Sequence, residues 1–154
     1  MTVAPYMGRD SVAPFLAFED KWVFLLALTS NPGAEDFQWY GPDGAPLYKE
    51  VVRAAESWAA DLPGHLGYVV GATRPAYLAE VRALAPEAFF LVPGIGAQGG
   101  DLQGVLSHGQ STNGGLLINS SRGILYAGNG DDFDAVARQA ALNLQAGMAG
   151  PFSP

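Results

Sequence analysis

Apolar residues in this chain gather in short unbroken runs, separated by stretches in which they recur every three or four positions. The runs are WVFLLAL at 22–28, GYVVGA at 67–72, AFFLV at 88–92 and GLLIN at 115–119. A run with no polar face reads as a strand covered on both sides, which is the pattern of a parallel sheet rather than an alternating antiparallel one. A first short strand is expected at 2–5. Between the runs, helical periodicity predicts helices over 47–60 (LYKEVVRAAESWAA), 75–84 (PAYLAEVRAL) and 132–147 (DFDAVARQAALNLQAG), with shorter ones over 10–19 and 101–108. In the second of these, Pro75 suits a first helical turn, and Tyr77, Leu78, Val81 and Leu84 line one face. Asp131 and Asp132 stand where the last helix should begin, and there the helix dipole favours acids. Asp10 and Ser11 open the first.

The resulting order is five consecutive strand–helix units, which predicts an α/β fold with parallel strands and right-handed crossovers. Two closures fit that order: a doubly wound open sheet, or part of a TIM-type (β/α) barrel. A full eight-unit barrel takes about 250 residues, so 154 residues would hold about the last five units and lack the first three. The Gly- and Pro-rich stretch 31–46 has no periodicity and reads as a long βα loop, the place where barrels keep their chemistry. Residues 1–147 are expected to form one unit and 148–154 a flexible tail.

Composition narrows the function. The 8 Lys and Arg against 15 Asp and Glu give a net charge of −7, which disfavours a protein that tracks a nucleic-acid backbone. An anionic ligand would have to be gripped locally, against the field of the chain. Cysteine is absent, which excludes disulfides and thiolate metal sites. The longest apolar run is far shorter than a membrane span, and the first residues lack the basic and apolar regions of a secretory leader. No nucleic acid, no membrane and a cytoplasmic location are therefore expected. His65 and His108 have no carboxylate at ligand spacing and read as surface or loop residues rather than metal ligands.

Three stretches could carry chemistry. PGIGAQGGD at 93–101 follows a strand, and its four glycines let the backbone approach an anion closely. A dinucleotide fingerprint is the alternative for Gly94, Gly96 and Gly99. Pro93, the late position in the chain and the lack of an acid about 20 residues on all argue against it. INSSRGI at 118–124 follows the next strand, where Arg122 offers a planar fork of donors and Gly123 allows a tight turn. Phosphate sites in β/α barrels are built from the loops after the last two strands, which is where these two stretches lie. TSNPG at 29–33 ends a strand, and Ser30 could hydrogen-bond a small polar ring.

These blocks, with PYMGRDS at 5–11, VVGAT at 69–73 and NSSRGILY at 119–126, resemble the C-terminal part of orotidine 5′-phosphate decarboxylase, specifically the longer bacterial branch of that family. The resemblance implies a TIM-type barrel that converts orotidine monophosphate to uridine monophosphate (UMP) without metal or cofactor. It also implies a dimer whose active sites share a residue across the interface. By position, Gln98 resembles the glutamine that contacts the phosphate. Arg122, with the backbone of Ser121 and Gly123, resembles the other half of that grip, and Ser30 resembles the serine that contacts the pyrimidine. The family's catalytic Asp-x-Lys-x-x-Asp does not occur here. Lys21 and Lys49 are the only lysines and neither has the flanking aspartates, so no catalytic residue is assigned; Ala4 also stands where an asparagine is expected.

Two readings follow from that departure. In one, the chain is a fragment of a complete decarboxylase. In the other, it is a catalytically silent nucleotide-phosphate-binding half-barrel that oligomerises or complements a separate N-terminal half, because open sheet edges need a covering chain. A different phosphate-binding barrel enzyme is a third, remoter option.

Overall fold

The computed structural model describes residues 1–42, 45–96, 99–112 and 114–149. The strands are β1 (Thr2–Val3), β2 (Trp22–Leu28), β3 (His65–Val70), β4 (Phe89–Pro93) and β5 (Leu116–Asn119). The helices are α1 (Arg9–Leu16), α2 (Ala34–Phe37), α3 (Leu47–Ala59), α4 (Ala76–Leu84), α5 (Leu102–Gly109), α6 (Arg122–Leu125) and α7 (Phe133–Met148). All strand pairs are parallel, and the sheet order is β1-β2-β3-β4-β5. That order excludes the doubly wound alternative, in which strand order must reverse at a switch point. Strands added in sequence on one side are the arrangement of a barrel wall.

Boundaries shifted where long-range bonds overrode local pattern. β1 covers two residues rather than four, because Pro5 has no N–H for the ladder and its carbonyl accepts from Gly8 N–H at 2.8 Å, turning the chain. Strand β3 starts at His65, two residues early, and ends at Val70, because Trp22 of β2 pairs with His65 and extends the ladder. The end of α1 falls at Leu16, whose carbonyl accepts from Gly64 N–H at 2.8 Å just before β3. Two short helices, α2 and α6, lie in segments that showed no periodicity. α7 runs to Met148, one residue past the expected boundary and into the expected 148–154 tail, of which 150–154 lie outside the described residues.

The helices cover one face of the sheet only. Register sets Leu25, Tyr68, Phe90 and Leu116 side by side. With Val23, Val70 and Val92 they pack against Val12 and Leu16 of α1, Val52 of α3, Leu78 and Val81 of α4 and Val105 of α5. The opposite face carries Trp22, Phe24, Phe89, Leu91 and Leu117, none of them fully buried. Gly67 has no side chain there because a Cβ would come within 2.7 Å of the Phe24 ring and of the Phe89 carbonyl. Trp22, Phe24, Phe89 and Leu117 line an apolar hollow of about 410 Å³. This is the interior face of a barrel wall, open over the described residues. Among those residues no helix is long and apolar enough to cross a membrane.

Polar side chains tie the outer helices together. Tyr48 of α3 donates to Glu80 of α4 at 2.7 Å, and Lys49 pairs with the same carboxylate oxygen at 2.6 Å. The Lys49 hydrogen bond, then that of Tyr48, holds the Glu80 carboxyl below the ordinary 4.5. Burial, then Glu80 itself, pushes the Tyr48 phenol up. A depressed carboxylate stabilises the fold above its unfolded pKa, and the contribution is lost as pH falls through the folded value. The melting-temperature gap between wild type and Glu80→Gln should therefore be widest near neutrality and close below about pH 4.5. Calorimetry at pH 7 and pH 3.5 checks this, and an unchanged gap refutes it.

Candidate functional site

In a parallel sheet every strand delivers its C-terminal end to the same edge. Here β4 and β5 end in register, with Pro93 opposite Asn119, so the loops that follow them emerge side by side. The first loop turns back at once. Gly94 and Gly96 take φ of 102° and 84°, a region open to glycine and costly for other residues. Gly100 N–H donates to the Gly94 carbonyl at 3.1 Å, and Ile95 bridges to Gly100. The second loop is tied to the first by Ser120, whose hydroxyl donates to the Ile95 carbonyl at 3.0 Å.

Between the two loops lies a cavity of about 190 Å³, lined by Pro93, Gly94, Ile95, Asn119, Ser120, Ser121 and Arg122. Arg122 is exposed on the first residue of α6, and among the described residues it forms no ion pair. The expected pairing of the glycine loop with the Arg122 loop is thus a physical neighbourhood. Ser121 lines the cavity beside Arg122. Gly123 does not line it; it sits inside the helical turn of α6, without positive φ, where Ile124 N–H donates to the Ser121 carbonyl at 3.2 Å. Gln98 lies outside the described residues.

Ser30 stands at the same end of the sheet, two strands away. A register shift between Leu26 and Leu28 precedes it, the kind of bulge that re-aims a strand end. Gly71 lets this turn lie close to β3, since a Cβ there would come within 2.8 Å of the Ser30 Cβ. Ser30 lines its own cavity of about 330 Å³ with Thr29, Asn31, Trp39, Thr73 and Arg74. Arg74 is already engaged, pairing with Glu35 at 3.2 Å and lying over the Trp39 ring.

Neither lysine reaches this end. Lys21 immediately precedes β2 and so lies at the opposite edge of the sheet, and Lys49 is held by Glu80 between α3 and α4. Among the described residues no group of three or more His, Asp or Glu could hold a metal. His65 is exposed as expected, but on a strand, stacked on Trp22 at 4.9 Å. His108 is exposed at the end of α5, its Nδ1 2.8 Å from the Gly104 carbonyl. Asp132 flanks the start of α7, and Asp101 caps α5 by accepting from Gly104 N–H at 3.0 Å.

Sequence reading passed over Ser120 and Gln38. The only signal for Ser120 was its place directly after a strand, beside the loop that follows the neighbouring strand. Gln38 carried no local signal, because its partners are nine residues away.

A glycine-rich loop and an arginine-bearing loop thus meet at the C-terminal edge of a barrel wall, the edge at which β/α-barrel proteins build their sites. The chain belongs to the orotidine 5′-phosphate decarboxylase / HUMPS family, whose profile matches residues 1–138. It is 58% identical over 144 residues to orotidine 5′-phosphate decarboxylase of Azoarcus sp. (strain BH72), covering 92% of this chain and 53% of that protein. It is 52% identical over 149 residues to the Flavobacterium johnsoniae protein of the same name, covering 97% and 54%. The structure of Leishmania donovani OMP decarboxylase superposes with a TM-score of 0.79 at 41% identity, over 97% of this chain and 57% of that one. Leishmania donovani UMP synthase gives 0.80 at 44% identity, over 96% and 32%. The chain spans about half the length of the curated relatives it matches.

Proposed function

We propose that this chain supplies the nucleotide-gripping part of an orotidine 5′-phosphate decarboxylase, holding the phosphate and pyrimidine of orotidine monophosphate while carbon dioxide leaves the ring. The carrying observation is the cavity between the loops that follow β4 and β5, lined by Gly94, Ser121 and Arg122, with Ser120 tying the second loop to the Ile95 carbonyl of the first. Arg122 forks onto phosphate oxygens, Ser121 and Gly123 add backbone donors, and Gln98 corresponds by resemblance to the family's phosphate-contacting glutamine. Ser30 meets the pyrimidine from its own turn. Phosphate binding remote from the reacting carbon supplies binding energy that can be used at the ring.

Decarboxylation converts orotidine monophosphate and a proton to UMP and carbon dioxide. The electron pair left on the ring needs a nearby cation and then a proton, and a lysine set between aspartates serves both needs. Neither Lys21 nor Lys49 has such aspartates or lies at the site end. On this reading the chain by itself binds UMP weakly and does not turn over. A further chain or a second copy covers the Trp22–Phe24–Phe89–Leu117 face and the open sheet edges, and the protein works in the cytoplasm without cofactor.

Titration calorimetry with UMP and a carbon dioxide release assay with orotidine monophosphate, both on the 154-residue chain, test this reading. Measurable UMP binding with release at the uncatalysed rate is expected. Release above that rate overturns the division of labour, and the absence of UMP binding overturns the grip.

A further inference from the structure

The turn that carries Ser30 is held by a directional hydrogen-bond relay. Thr29 N–H donates to Gln38 Oε1 at 2.8 Å. A backbone N–H can only donate, so Oε1 is identified as the acceptor and Nε2 as the donor. Gln38 Nε2 then donates to Thr29 Oγ1 at 2.8 Å, and the Thr29 hydroxyl passes its own proton to Asn31 Oδ1 at 2.6 Å. The relay therefore runs Gln38 to Thr29 to Asn31 and brackets Ser30 on both sides. Its first member is anchored, because the Gln38 carbonyl accepts from Tyr48 N–H at 3.1 Å at the start of α3, and Tyr48 is 1% exposed. Thr29, Asn31 and Ser30 all line the cavity at the end of β2.

We infer that Gln38 is a positioning residue for base recognition: through Thr29 and Asn31 it holds the Ser30 turn in the geometry that meets the pyrimidine, and so governs selectivity for a nucleotide over a bare sugar phosphate. The inference rests on the assignment of Ser30 to the pyrimidine. The phosphate cavity is built by β4 and β5, two and three strands from this turn, and shares no residue with it. Loss of the relay should therefore cost base recognition and spare the phosphate grip.

The test compares affinities of the full chain for UMP and ribose 5-phosphate, which share a phosphate but not a base. Gln38→Met removes both ends of the Gln38 contact at similar length. Thr29→Val removes only the central hydroxyl, and Thr29→Ser retains it. Both disabling variants should weaken UMP binding roughly tenfold and leave ribose 5-phosphate unchanged, while Thr29→Ser stays near wild type. Amide exchange at residue 29 should quicken in Gln38→Met. If Gln38→Met and Thr29→Val bind UMP as wild type does, or lose both ligands in equal proportion, the positioning role is refuted while the pyrimidine assignment stands. A wild type that does not favour UMP over ribose 5-phosphate overturns the Ser30 assignment and this inference together.

Discussion

Replacing Arg122 with alanine should weaken UMP binding by roughly 10- to 100-fold, the loss of one or two charge-assisted hydrogen bonds at about 1.5–3 kcal/mol. The chain carries a net charge of −7, so a phosphate gains nothing from the overall field and depends on the local cation. Arg122 lines the cavity between the two loops and is exposed, so its removal leaves the core intact. Arg122→Lys should recover only part of the affinity, because an ammonium is a point charge and cannot fork onto two oxygens. Uridine, which has no phosphate, supplies the control: its affinity should be the same in wild type and Arg122→Ala. Equal UMP affinity in the two proteins would remove the phosphate from this loop.

The largest effect on stability is expected at Arg82. Its guanidinium on α4 donates to the carbonyls of Gly109 (2.7 Å from Nη2), Ala88 (2.6 Å from Nη1), Ala85, Pro86 and Gly115, and lies 3.8 Å over the Phe90 ring. Burial draws its pKa down, yet arginine stays protonated in proteins. One side chain thus joins the end of α4, the α4–β4 connection, the end of α5 and the entry to β5. Those are the foundations of the two strands whose far ends carry the glycine-rich and Arg122 loops. Arg82→Met should cost about 3 kcal/mol or more, because several carbonyls lose a cationic donor at once. Arg82→Lys should restore little, since three donors on one nitrogen cannot span carbonyls that a planar fork reaches together. Denaturant unfolding measures this, and a loss under about 1 kcal/mol would show that water replaces the guanidinium without penalty.

Strands β2 to β5 were legible because each is a compact apolar run, and a run's length and β-forming content are local properties. The same holds for the candidate site in part. The glycines of 93–101 and the NSSRG block declared themselves by following strands, and the structure sets Ser121 and Arg122 beside Gly94 and Ile95. Gly123 lies within the single helical turn of α6, where Ile124 N–H donates to the Ser121 carbonyl at 3.2 Å. Gln38 gave no sign at all, since its value lies in reaching back to Thr29 from a stretch with no periodicity.

By itself, then, the sequence determined the number and order of strand–helix units, the blocks that place the chain in its family, and the absence of a lysine between aspartates. Its periodicity left both closures of the sheet open, because periodicity reports which residues are apolar and not which strand is the neighbour, and the barrel was implied by the family resemblance alone. Only the tertiary structure decided the unbroken order β1-β2-β3-β4-β5, through hydrogen bonds between strands tens of residues apart. It alone also decided that helices cover one face and leave Trp22, Phe24, Phe89 and Leu117 on the other. Both faces are equally apolar in the sequence, so the choice between them rests on where the crossover helices pack, which is a property of the whole chain.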